Sequence, residues 1–167
     1  MAECVYFAYG SNMNLAQMAF RCPNAKVVGN ACLEDYRLAF CGRRTDAGVA
    51  TILPEKGSRV NGVLWKITGE CEKSLDWYEG YPNLYGKEMI HVKDAKGVSF
   101  DTMAYVMNAP YKDQMEGPSK YYLRGILEGC RQNGIPQKPV LAAVKRTLRE
   151  KDKKEPAKKC RMDDKSR

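Results

Sequence analysis

Tyr6-Phe7-Ala8-Tyr9-Gly10-Ser11-Asn12-Met13 is the stretch on which the fold turns. Its first half, Cys4 to Tyr9, is an apolar, aromatic run with the character of a buried strand, and its second half is a turn that opens a helix near Asn14. Gly10 lets the backbone bend sharply or approach a ligand, while Ser11 and Asn12 add a hydroxyl and an amide beside N–H groups that no strand partner needs. Such a turn can cradle a carboxylate or an oxyanion. The same residues also suit an ordinary strand-to-helix connection, with Asn14 and Gln17 at the N-cap and N3 positions of a capping box.

Working outward, Leu15 to Phe20 form a short helix stopped by Pro23, followed by strands at Ala25–Val28 and Cys32–Cys41. A polar loop, Gly42–Gly48, leads to Val49–Leu53 and Val60–Ile67, which read as a β-hairpin turning at Lys56-Gly57-Ser58. The period then changes. Thr68 is placed to cap a helix, Glu70 and Glu72 sit in its first turn, and Gly80 stands at the position past its end that glycine favours. Within it Cys71, Leu75 and Glu79 are four apart and share one face, which puts a carboxylate on the apolar side. Strands at Glu88–Val92 and Asp101–Met107 follow, then a 108–118 loop, a helix capped by Ser119 and closed by Asn133-Gly134, and a last helix from Pro139 through Leu148. Strands early and helices late predict an α+β or mixed-barrel arrangement.

The chain has 167 residues, enough for one domain with a real core, taken as 1–149, with 150–167 as a basic tail expected to be flexible. Residues 145–167 carry net +6 of the total +8, so the domain itself is close to neutral. Without aromatic interleaving or a groove-reading motif, nucleic-acid binding is not the expectation. No apolar run approaches the roughly 20 residues of a membrane span, and the start carries no secretory pattern. A cytoplasmic protein, monomer or homodimer, is expected. Seven cysteines, an odd number with no C-x-x-C pair, suit a reduced compartment.

Glu79 is the most pointed chemical residue. Burial and the negative end of the helix dipole both disfavour its charge, the conditions for a general base near neutral pH. The alternatives are a side chain that snorkels to solvent or pairs with an arginine. The one histidine, His91, cannot by itself build a zinc site or activate a serine, and no metal is expected. The P-loop and dinucleotide fingerprints are absent from the sequence. Cys22 and Cys41, near Arg21 and Arg43, are the remaining nucleophile candidates.

The opening stretch resembles the signature loop of the γ-glutamylcyclotransferase family, and Leu75-Asp76-Trp77-Tyr78-Glu79-Gly80 is similar to its LDxxEG segment. Further similarity lies in Gly48–Ile52, Val60–Trp65, Tyr85, and Ser119-Lys120-Tyr121-Tyr122 through Asn133-Gly134-Ile135-Pro136. The resemblance implies a small mixed β-barrel flanked by helices, no cofactor, and formation of 5-oxoproline from a small-molecule γ-glutamyl amide. It carries the catalytic glutamate onto Glu79 and the substrate loop onto Tyr6, Phe7, Ala8, Tyr9, Gly10 and Ser11, with Asn12 beside it. Tyr85 and Tyr122 join as binding residues, with Tyr121 leaving the register of the second open. The basic tail and the 42–48 and 108–118 loops depart from the family pattern, leaving the substrate open between a γ-glutamyl amino acid and a γ-glutamyl amine or biosynthetic intermediate. A non-catalytic binding module on the same fold is the remaining alternative.

Overall fold

The computed structural model describes residues 4–165, with side chains as far as Lys154. In chain order it forms β1 (Cys4–Ala8), a 3-10 turn (Ser11–Met13), α1 (Leu15–Arg21), β2 (Lys26–Cys41), β3 (Val49–Ile67) and α2 (Gly69–Glu79). Next come β4 (Tyr85–Lys93), β5 (Ser99–Met107), a second 3-10 turn (Tyr111–Asp113), α3 (Lys120–Gln132) and α4 (Lys138–Lys165). The strands close into a barrel in the order β1-β3-β2-β4-β5. β1 runs antiparallel to β3 and parallel to β5, meeting the latter at Tyr6 and Met103. The expected α+β barrel with flanking helices is therefore the observed architecture.

The strand inventory differs from expectation in β2 and β3, each of which is one strand where two were expected. Val49–Leu53 and Val60–Ile67 do not form a hairpin with each other; both belong to β3 and pair with β2, from Cys41↔Val49 to Lys26↔Lys66. β2 is likewise continuous where two strands were expected. The Lys56-Gly57-Ser58 signal marks a bulge: the register jumps between Glu34↔Arg59 and Tyr36↔Pro54, leaving the intervening β3 residues opposite Asp35. Gly57 (φ 86°) and Asp35 (φ 65°) take the left-handed conformations this requires, and the Gly57 N–H donates to Asp35 Oδ1 at 3.0 Å. The true hairpin turns through the 42–48 loop.

α2 ends as its residues dictate. Thr68 Oγ1 accepts from the Cys71 N–H at 3.3 Å, and Gly80 closes the helix in the left-handed region (φ 65°, ψ 37°). Cys71 and Leu75 are buried, and Lys87 of β4 ties the helix to the barrel through Glu72 and Asp76, each at 2.8 Å. Asn14 does cap α1, accepting from the Gln17 N–H at 3.1 Å, but Gln17 turns to Arg21 and no reciprocal box forms. α3 presses on the turn after β1. A Cβ on Gly129 would lie 2.8 Å from the Asn14 nitrogen, and Asn133 Nδ2 donates to the Met13 carbonyl at 2.8 Å. α4, expected to end at Leu148, has helical backbone to Lys165; for the expected flexible tail, the side chains past Lys154 and residues 166–167 lie outside what is described. Among the described residues, no helix is long and apolar enough to cross a membrane.

Candidate active site

The turn from β1, the end of α2, the start of β3 and α3 meet around a cavity of about 200 Å³. Tyr6, Tyr9, Gly10, Ser11 and Asn12 supply one wall. Glu79 enters from the last residue of α2, and Tyr85, Tyr105 and Tyr122 complete an aromatic lining. Strand and helix periods explain the convergence: Glu79 follows the buried Cys71 and Leu75 on one helix face, and that face lies on the barrel end where β1 opens into its turn.

Asn12 organises the polar side. Its Nδ2 donates to the Tyr6 hydroxyl at 3.0 Å and to Glu79 Oε1 at 3.3 Å, while its Oδ1 accepts from Arg21 Nη1. Its carbonyl accepts from Trp65 Nε1 at 3.0 Å, so both ends of the residue are held. Arg21 also reaches Ser11 Oγ at 3.4 Å and Gln17 Oε1 at 3.0 Å, with its guanidinium 3.5 Å from the centre of the Tyr78 ring. Across the cavity the Tyr122 hydroxyl accepts from the Ala50 N–H at 3.0 Å and the Tyr85 hydroxyl donates to the Ala50 carbonyl at 2.5 Å. Gly10 leaves room for this: a Cβ there would lie 3.1 Å from Ala50 Cβ and 3.5 Å from the Tyr122 hydroxyl. The N–H groups of Gly10 and Ser11 meet no backbone acceptor among the described residues.

Glu79 is half-buried, and the desolvation of its carboxyl pushes its pKa up to about 7, opposed by the positive charge of Arg21. The tyrosine hydroxyls move the other way from use as bases. Burial, with the Glu79 charge adding to it, holds Tyr6, Tyr9 and Tyr122 above their ordinary value, so they remain protonated donors at neutral pH. Cys22 and Cys41 are pushed up to about 12 by burial, which removes both as nucleophiles. His91 lies on exposed β4 surface against Asp101, away from the cavity.

The raised pKa of Glu79 makes folding stability depend on pH. Between about 4.5, the ordinary value, and about 7, the folded state holds a proton on Glu79 that the unfolded chain has released. Folding stability therefore falls as pH rises through that window. Glu79→Gln is expected to remove this slope, so denaturant melts should show the variant gaining on the parent at pH 8 relative to pH 5.

Of the loop residues carried over by resemblance, Tyr6, Tyr9, Gly10, Ser11 and Asn12 line the cavity, whereas Phe7 and Ala8 do not; both are buried in the barrel core. Tyr85 and Tyr122 line it, whereas Tyr121 is 83% exposed and does not. Arg21, Tyr78, Tyr105 and Trp65 reach the cavity or its hydrogen bonds without having been singled out in the sequence. In the sequence Arg21 stood out only as a cation beside Cys22; the structure places it in the last turn of α1.

A family described as "Gamma-glutamyl cyclotransferase, AIG2-like" matches residues 6–124, a span that holds every lining residue of the cavity. The chain belongs to that family. It is 32% identical over 140 residues to the mouse gamma-glutamylcyclotransferase, covering 80% of this chain and 73% of the mouse protein. The human gamma-glutamylcyclotransferase is 31% identical over 139 residues, covering 79% and 72%. A solved structure titled "Gamma-glutamyl cyclotransferase" superposes with a TM-score of 0.75 at 30% identity, covering 82% of this chain and 83% of that one. A yeast gamma-glutamyl cyclotransferase specific to glutathione, at 12% identity and a TM-score of 0.62, shares the fold. Membership makes this protein an enzyme of the gamma-glutamylcyclotransferase type.

Proposed function

We propose that the protein cyclises a γ-glutamyl amide to 5-oxoproline, with Glu79 as the single proton carrier. The observation that carries this is the Glu79 carboxyl, set 3.3 Å from Asn12 Nδ2 in the small cavity that the Gly10–Asn12 turn also lines, where burial pushes its pKa up to about 7. The substrate is a zwitterion, and the N–H groups of Gly10 and Ser11 suit its anionic oxygens, the α-carboxylate or the oxyanion that forms on the γ-carbonyl. Glu79 takes a proton from the substrate's α-ammonium. The freed nitrogen attacks the γ-carbonyl carbon and the carbonyl electron pair moves to oxygen. When the intermediate collapses, the C–N bond of the amide breaks, Glu79 returns its proton to the departing nitrogen, and the second proton lost by the attacking nitrogen passes to the released amine, which leaves as its ammonium. One carboxyl thus serves as base and then acid. The attack is intramolecular, so holding a folded conformer supplies most of the acceleration, with effective molarities reaching about 10⁵ M or more for well-oriented groups.

The leaving group lies toward the mouth, where a neighbouring cavity shares Val49 and Leu84 with the site and carries Arg43 and Arg44. That charge suits a departing amino acid with its own carboxylate over a plain amine. The test is release of 5-oxoproline from γ-glutamyl-alanine and from γ-glutamyl-ethylamide. Turnover of the dipeptide in preference to the amide is expected; failure of both compounds to yield 5-oxoproline sinks the reading.

The pH dependence supplies a separate check. kcat/KM should fall below a pH near 7 as Glu79 becomes protonated in the free enzyme. Since Arg21 lowers the Glu79 pKa, Arg21→Gln should move that limb to higher pH. A limb that stays in place in the variant would assign it to another group.

A further inference from the structure

Its place after Ser11 groups Asn12 with the substrate loop, yet its side chain has no donor left for a substrate's anionic oxygens. A primary amide carries two N–H donors and one carbonyl oxygen. Both donors of Asn12 are engaged, one on the Tyr6 hydroxyl at 3.0 Å and one on Glu79 Oε1 at 3.3 Å, and Oδ1 accepts from Arg21 Nη1. The residue is 2% exposed, and the Trp65 indole holds its carbonyl oxygen.

The direction of the amide is set by its partners. A guanidinium only donates and a carboxylate only accepts, so Oδ1 must face Arg21 and Nδ2 must face Glu79. Arg21 is itself fixed: Gln17 Oε1 accepts from Nη2 at 3.0 Å, the Tyr78 ring stacks on the guanidinium, and Ser74 Oγ donates to the Arg21 carbonyl at 2.7 Å. A chain thus runs from a guanidinium on α1, through an amide in the turn after β1, to a carboxyl at the end of α2. The cation at the oxygen end polarises the amide and strengthens the N–H that Glu79 accepts. Glu79 is the last residue of α2 before the left-handed Gly80, at a helix end that its own backbone holds least firmly.

We infer that Asn12 is a positioning residue for the proton carrier: it pins Glu79 Oε1 and thereby presents Oε2 to the substrate's nitrogen. The inference rests on Glu79 as the base and acid. With Oε1 committed to Asn12, the proton taken from the α-ammonium goes to Oε2, and the same oxygen returns it to the departing nitrogen without rotation of the carboxyl. The other groups facing Glu79 do not compete for that proton. Tyr6 and Tyr9 at the end of β1, Tyr85 on β4, Tyr105 on β5 and Tyr122 on α3 are all held protonated by burial, and Tyr78 turns its ring to Arg21. Arg21 is the charge that acts on the carboxyl.

Asn12→Ala tests this, with kcat and KM measured on γ-glutamyl-alanine by release of 5-oxoproline. At pH 8 kcat should fall at least about tenfold, toward the ~10² that misplacing a reacting group costs, with KM unchanged. In a Glu79→Gln background the same substitution should cost nothing further, because no proton carrier remains to be positioned. Tyr6 keeps its place in both, 4% exposed with its ring edge-on to Tyr105 at 5.7 Å. Asn12→Asp keeps the shape and the bond to Arg21, and so covers the case in which the alanine variant does not fold. It takes up the Arg21 charge and turns an oxygen toward Glu79, so the acidic limb of kcat/KM should move to higher pH. Raised KM with parental kcat in Asn12→Ala makes Asn12 a substrate ligand and overturns the proposal, as does an additive loss in the Glu79→Gln background or an unmoved limb in Asn12→Asp. Parental turnover by Glu79→Gln alone overturns the base together with its positioning; a loss there combined with any of the three overturning results removes only the role of Asn12.

Discussion

Glu79→Gln is expected to keep the fold and lose about 10³ of turnover, within the range that general acid–base groups supply. Glutamine has the same shape, and its amide oxygen can still accept from Asn12 Nδ2, which meets the carboxylate at 3.3 Å in the parent. Leu75 and Cys71, which seat the helix, are untouched. What disappears is a group able to take a proton from the substrate's ammonium and return it to the leaving nitrogen. The substrate should bind with little change in KM, because the N–H groups of the turn and the tyrosine lining remain, so the loss belongs in kcat. Residual turnover reflects the oriented attack alone. Glu79→Asp, which keeps the acid but withdraws it by a methylene, should fall between the two. Parental kcat in the glutamine variant, with 5-oxoproline as the measured product, would show that another group moves the proton.

How much of this was legible in the sequence depended on whether a signal was local. Thr68, Gly80 and the four-residue spacing of Cys71, Leu75 and Glu79 act within one helix, and α2 forms as they specify. The turn at Gly10–Asn12 is equally local. Gly57 misled because a glycine at positive φ serves a bulge as well as a hairpin turn; only the pairing of both halves of β3 with β2 separates the two. Arg21 and Tyr105 enter the site through barrel closure and the docking of α1 on α2, where Ser74 Oγ donates to the Arg21 carbonyl at 2.7 Å. No spacing along the chain encodes that proximity.

Phe7→Ala should destabilise the protein by ~3–5 kcal/mol while leaving KM in the folded enzyme unchanged. The motif alone groups Phe7 with its substrate-loop neighbours, but its side chain is 0% exposed and absent from the cavity lining. Its ring occupies the space over Gly62, where an added Cβ would lie 2.5 Å from Phe7 Cε2. Gly62 has no side chain to move into the void left by truncation, and the β1–β3 pairing at Phe7↔Leu64 and Ala8↔Val63 fixes the backbone on both sides. The site therefore collapses poorly, which favours the upper part of that range. Gly62→Ala is destabilising by itself, through the ring and through the Ala8 carbonyl, 2.5 Å from the same Cβ position. Combining the two removes the ring contact and fills part of the void, so the double variant should lose less than the two single losses together. Urea unfolding of the four proteins measures that coupling directly. A Phe7→Ala protein that kept parental stability but raised KM would return Phe7 to the substrate wall; the close fit of its ring to Gly62 places it in the core that holds the turn in position.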